Sequence, residues 1–182
     1  MADPEHLMQR SPNAVKVLVG AAILLVAVVA VVLIARSSGD DADTGTVSSD
    51  LNAKPTIEVP SGSPPTELIS KDIVTGDGAT AEQGDTVEVQ YVGVDYATGK
   101  EFDTSWDKGQ PFTFQIGAGN VIPGWDQGVE GMQVGGRREL IVPPDLAYGA
   151  QGSPPAIAPN ATLVFVIDLL DVQSGGGSQP AG

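Results

Sequence analysis

Apolar and polar residues alternate at Val87, Val89 and Tyr91, and again at Phe112, Phe114 and Ile116. A period of two is expected where one face of a strand is buried. Leu140, Ile141 and Val142 form a continuous apolar run, as do residues 163–167, and each predicts a further strand. Thr98 and Gly99 fall between Val94 and Phe102 as the turn of a hairpin would. Pro123 followed by Trp125, Val129 and Met132 predicts one short helix. Proline suits a first helical turn, and the i, i+4, i+7 spacing puts the three apolar residues on one face. Mostly strands with one helix predict an α+β domain over residues 67–173, with an antiparallel β-sheet folded over that helix.

A different pattern precedes the domain. Residues 17–35 hold no charge over 19 positions, roughly 28 Å of helix against a bilayer core of ~30 Å. The run exceeds an ordinary signal-peptide core, and Arg36 spoils the small-residue context that cleavage needs. It therefore reads as an uncleaved transmembrane anchor, with removal as a signal sequence and secretion of the remainder as the alternative. Arg10 and Lys16 before it, against Arg36 after it, place residues 1–16 in the cytoplasm. The expectation is a single-pass cell-membrane protein whose C-terminal domain is extracytoplasmic. Residues 36–66, rich in Asp, Ser, Gly and Pro, read as a flexible linker in which residues 56–59 could add an edge strand. Asp40, Asp41 and Asp43 lack the rest of a calcium-loop pattern. Residues 174–182 read as a Gly/Ser-rich disordered tail.

Composition then narrows the chemistry. The chain of 182 residues has no Cys, so it has no disulfide, thiol nucleophile or Cys-ligated metal. Its single His, His6, precedes the apolar run, and a hydrolase built on Ser105 or Ser153 would lack a base. Nine Lys and Arg against 23 Asp and Glu argue against nucleic acid as a partner. Residues 1–36 hold three basic and two acidic groups, so of the formal −14 the rest of the chain carries −15. All nine aromatic residues fall between Tyr91 and Phe165. Tyr91, Tyr148 and Trp125 carry polar tips that a plain core does not require, and an aromatic-walled pocket with few polar groups is the general form of a ligand or peptide site.

These residues also form a known series. Lys100, Phe102, Asp103, Thr104 and Ser105 resemble the K-x-F-D-S-S signature of the FKBP-type peptidyl-prolyl cis-trans isomerases. Further matches follow in the family's order: Gln90, Tyr91 and Gly93; Pro111, Phe112 and Phe114; Val121, Ile122, Gly124 and Trp125. Gly128 and Met132, then Pro144, Tyr148 and Gly149, then Pro159, Thr162 and Phe165 complete the series. The resemblance spans roughly residues 68–173. It implies an antiparallel sheet half-wrapped around a short helix, with an apolar pocket between them. Tyr91, Phe102, Phe112, Val121, Ile122, Trp125, Ile157 and Phe165 would line this pocket, with Trp125 as its floor. Asp103 and Tyr148 would be its catalytic polar groups, and the Ile122 N–H a substrate anchor. Asp103 also stands five residues from Lys108, across a loop, so the two could pair.

The activity implied is rotation of X-Pro bonds in exported proteins, with no cofactor and no metal. Its partners would be proline-containing polypeptides and macrolide inhibitors, with a membrane contact through the N-terminal helix; the protein is expected to be a monomer. Ser153, Asn120 and Lys108 depart from residues common in the family and bear on macrolide affinity and substrate preference. The chemistry suits the composition. Amide resonance sets a barrier of about 18–20 kcal/mol, and both X-Pro isomers are accessible, so only the rate is limiting. Twisting the amide removes its charge separation, and an apolar pocket then binds the twisted form better than the planar one.

Overall fold

In the computed structural model, residues 47–175 are described. Strand β2 (Thr86–Asp95) organises the sheet because its alternation is long enough to serve two neighbours on one edge. It follows β1 (Ile69–Val74) and precedes β3 (Glu101–Thr104), β4 (Phe112–Gln115), β5 (Arg137–Val142) and β6 (Leu163–Gln173). The sheet runs β1-β5-β6-β2-β3, and β4 pairs with the first half of β2 while β3 pairs with the second. Every pairing is antiparallel. The β2–β3 hairpin closes where Asp95 accepts from the Thr98 N–H and Gly99 adopts a φ of +67°.

The single α-helix among the described residues, α1 (Pro123–Val129), packs on one face of the sheet, the concave face below. Seven residues cannot sustain a helix alone, so tertiary contact holds it. Trp125 and Val129 join Val87, Val89 and Tyr91 of β2, Leu140 and Val142 of β5, and Phe165 and Ile167 of β6 in one buried cluster. Each such side chain contributes about 1.5–3 kcal/mol when fully buried. A Cβ at Gly128 would stand 2.5 Å from Leu140 Cδ1, so glycine there is what lets the helix lie on β5. Met132, expected to continue the helical face, is buried but follows Gly131, whose φ of +79° ends the turn. Strand β1 carries no clear alternation and was not expected.

The convex face has its own cluster, Val92, Val94, Ile141 and Val164, covered by Ile57 and Val59. Residues 47–60, expected within a flexible linker over 36–66, thus pack on the sheet. Arg137, with 0% of its surface exposed, explains why. It pairs with Asp168 at 2.5 Å and donates to the carbonyls of Ser48 (2.7 Å) and Ala53 (3.2 Å). A buried guanidinium needs acceptors, and this segment supplies two. Residues 56–59 do not form an edge strand; Ile57 makes only an isolated bridge with Val47.

The expectation of a membrane anchor is corrected as well. The transmembrane anchor placed at 17–35 lies outside the described residues, and among the described residues no helix is long and apolar enough to cross a membrane. Helix α1, at seven residues, spans only about 10 Å. The transmembrane helix, the membrane contact and the single-pass cell-membrane location are accordingly withdrawn.

One buried group makes stability depend on pH. Glu139 is buried on the convex side of β5 with neither carboxylate oxygen hydrogen-bonded, and burial pushes its pKa from 4.5 up to about 7 against the opposing charge of Lys71. A carboxyl raised in the folded state costs nothing while both states are protonated and destabilises the fold increasingly as pH rises from 4.5 to about 7. Glu139→Gln should therefore gain melting temperature over the wild type progressively across that window, with the gap widest above it. Thermal melts at pH 4 and pH 8 measure this, and a gap of equal size at both would contradict it.

Candidate functional site

The helix and the sheet meet around Trp125, which is 4% exposed. Its indole packs edge-on against Tyr91 (5.1 Å between centroids), Phe112 (6.1 Å) and Phe165 (5.3 Å), and is tilted against Phe114 (5.6 Å). Phe102 adds an edge contact to Phe165 at 5.7 Å. That pair exists because β2 carries Gly93 opposite it: a Cβ there would come within 2.8 Å of Phe102 and 2.9 Å of Phe165. Val121 and Ile122, at the entrance to α1, are half-buried against the same cluster, and Ile157 is buried in it. Phe112 and Tyr148, at 39% and 41% exposure, are open to solvent at the rim.

Loop geometry brings these residues in from distant positions. Ile122 caps α1 in an extended conformation, its carbonyl accepting from Trp125 N–H at 2.9 Å. Its own N–H finds no acceptor among the described residues. Ile157 is turned inward by paired backbone hydrogen bonds with Ser153 (2.9 and 3.0 Å). Gly152 makes that turn possible, since a Cβ would lie 2.7 Å from the Ile157 and Ala158 carbonyls. A cleft of about 410 Å³ opens from Phe102 and Ile157 over Thr98, Lys100 and residues 154–159.

One wall is polar. Asp103 accepts a 2.6 Å hydrogen bond from the Tyr91 hydroxyl and pairs with Lys108 at 2.6 Å. Lys108 also donates to the Tyr91 oxygen at 3.2 Å. Burial alone would push the Asp103 carboxyl up. Hydrogen bonds from Lys108, Tyr91 and the Thr104 N–H outweigh it and hold the carboxyl below its ordinary range. The same bond to Asp103 raises Lys108, and burial followed by the bond to Asp103 raises Tyr91. Burial, then the Asp103 charge, raises the Tyr148 phenol as well. The wall thus holds one carboxylate, one ammonium and two neutral phenols.

The residues after Asp103 rivet this wall to β2. Thr104 donates through Oγ1 to the Tyr91 carbonyl at 2.8 Å, and Ser105 Oγ accepts from the Tyr91 N–H at 2.8 Å while donating to Gln90. The structure therefore gathers Tyr91, Phe112, Phe114 and Phe165 around the Trp125 indole, with Phe102 against Phe165, Asp103 bonded to Tyr91, and Tyr148 exposed. The engagement of the Tyr91 hydroxyl by Asp103, and the parts played by Gly93 and Ser105, were missed. The alternation 87, 89, 91 pointed Tyr91 inward, but only the β2–β3 register brings its hydroxyl to Asp103.

A family model described as FKBP-type peptidyl-prolyl cis-trans isomerase matches residues 78–170. An FK506-binding protein of Streptomyces anulatus is 58% identical over 120 residues, covering 65% of this chain and 97% of that protein. A probable FK506-binding protein of Corynebacterium glutamicum is 52% identical over 117 residues, covering 64% and 97%. The crystal structure of AtFKBP13 matches with a TM-score of 0.55 at 39% identity, covering 59% of this chain and 94% of that one. Agreement over nearly the whole length of these relatives, on the segment that builds the aromatic cluster around Trp125, shows that the chain belongs to the FKBP-type peptidyl-prolyl cis-trans isomerases.

Proposed function

We propose that residues 67–173 act as the isomerase domain, and that the pocket over Trp125 accelerates X-Pro rotation by binding the twisted amide more tightly than the planar one. The enclosure of one indole by four rings, beside a single ionised carboxylate, carries this reading. In the planar amide, resonance places negative charge on oxygen and positive charge on nitrogen, and an apolar site solvates neither. Twisting returns the lone pair to nitrogen and relieves that mismatch. Tyr91, Phe102, Phe112, Val121, Trp125, Ile157 and Phe165 hold the prolyl ring and exclude water.

The polar groups orient the carbonyls. The Ile122 N–H, without an acceptor, donates to a substrate carbonyl flanking the proline. Tyr148, kept protonated, donates to another. Asp103, kept ionised, faces the electropositive carbon of the rotating carbonyl. No proton changes hands. Lowering the barrier by about 5 kcal/mol gives a several-thousand-fold acceleration. Both relatives' names record FK506 binding, and we propose that a macrolide carrying a proline-like ring competes for the same pocket.

In a proline-limited refolding assay, Asp103→Leu should lower kcat/KM about 10-fold or more, and Tyr148→Phe about 3- to 10-fold, with unchanged circular dichroism. Wild-type rates in both variants would contradict the site. FK506 should inhibit the wild-type protein competitively with a proline peptide; inhibition independent of peptide concentration would place its binding elsewhere.

A further inference from the structure

Residues 47–60 do more than cover the convex face. Their path is fixed by Arg137, which holds the Ser48 and Ala53 carbonyls, and by the burial of Pro55 and Pro60. Immediately after Ala53, Lys54 reaches the edge strand β3. Its Nζ donates to Glu101 Oε1 at 3.0 Å and to both Asp107 oxygens at 3.1 and 3.0 Å. Glu101 lies two residues before Asp103, and Asp107 immediately precedes Lys108. One ammonium therefore ties together the two ends of the turn that carries the charged wall of the pocket. Trp106, in the middle of that turn, packs against the same convex cluster as Ile57 and Val59.

We propose that residues 47–60 form a brace for the polar wall of the pocket, with Lys54 as a positioning residue that sets the 101–108 turn. From the pocket side, bonds to Tyr91 hold the turn; from the convex side, the brace does. The proposal rests on the reading of Asp103 as a group that meets the substrate. A partly exposed ion pair adds little to global stability, yet a small misplacement of a group that meets the transition state is expensive in rate. The brace therefore shows in turnover and in local order rather than in melting.

The test compares full-length Lys54→Met and Lys54→Arg with the wild type. Lys54→Met should lose about 3- to 10-fold in kcat/KM, carried by kcat, at an unchanged melting temperature, and Lys54→Arg should recover most of it. Amide relaxation dispersion should show new microsecond–millisecond exchange at residues 103–108 in Lys54→Met and none at residues 112–115. Wild-type turnover in Lys54→Met, or a loss that tracks a fall in melting temperature, overturns the brace. The Asp103→Leu variant separates the two readings. If it loses activity while Lys54→Met does not, only the brace fails; if neither loses activity, the site reading fails and the brace with it.

Discussion

The close approach of a seven-residue helix to strand β5 is the constraint on which the rest of this structure depends. So short a helix has no stability of its own, and it settles only because Gly124 and Gly128 offer no side chain against Val142 and Leu140. Added bulk at either position would lift the helix. Trp125 would then leave the ring formed by Tyr91, Phe112, Phe114 and Phe165. Packing and the proposed function coincide here, since the contact that completes the core also holds the indole on which the proposed site is built.

The polar wall follows a complementary logic. Strand β2 presents Tyr91 to the concave side, and the Thr104 and Ser105 side chains bind its backbone. The tyrosine hydroxyl and the Lys108 ammonium then hold Asp103 as a carboxylate beside the aromatic cluster. A charge is costly in such a place unless it is paired, and here it is paired twice. On the opposite face the same sheet buries Arg137 with Asp168 but leaves Glu139 without a hydrogen bond, beside the apolar Ile141, whereas Leu140 and Val142 turn the other face of β5 to the core.

Periodicity revealed what periodicity governs. The alternations at 87–91 and 112–114 and the spacing of Pro123, Trp125 and Val129 are local consequences of burial on one face, and they correspond to β2, β4 and α1. Strand β1 escaped because Ser70, Lys71 and Asp72 interrupt any alternation, at the edge of the sheet where nothing requires it. The packing of residues 47–60 escaped for another reason. Prolines, serines and aspartates read as a solvated linker, whereas the acceptors that bind Arg137 are backbone carbonyls, which no side-chain pattern records. The family motifs named Asp103 and Tyr91 separately, and only strand register joins them. The anchor inferred for residues 17–35 rested on the length of a charge-free run, the Arg36 context and the flanking basic residues, and the described residues contain no helix of that kind.

The central claim is that the pocket works by shape and fixed charge, with no proton in flight. Asp103 is held low, while Lys108, Tyr91 and Tyr148 are held high, so none of them exchanges a proton near neutrality. The solvent deuterium isotope effect on kcat/KM for a proline peptide tests this most directly. The account predicts a value of about 1, and a value of about 2 or more would reveal rate-limiting proton transfer and contradict it.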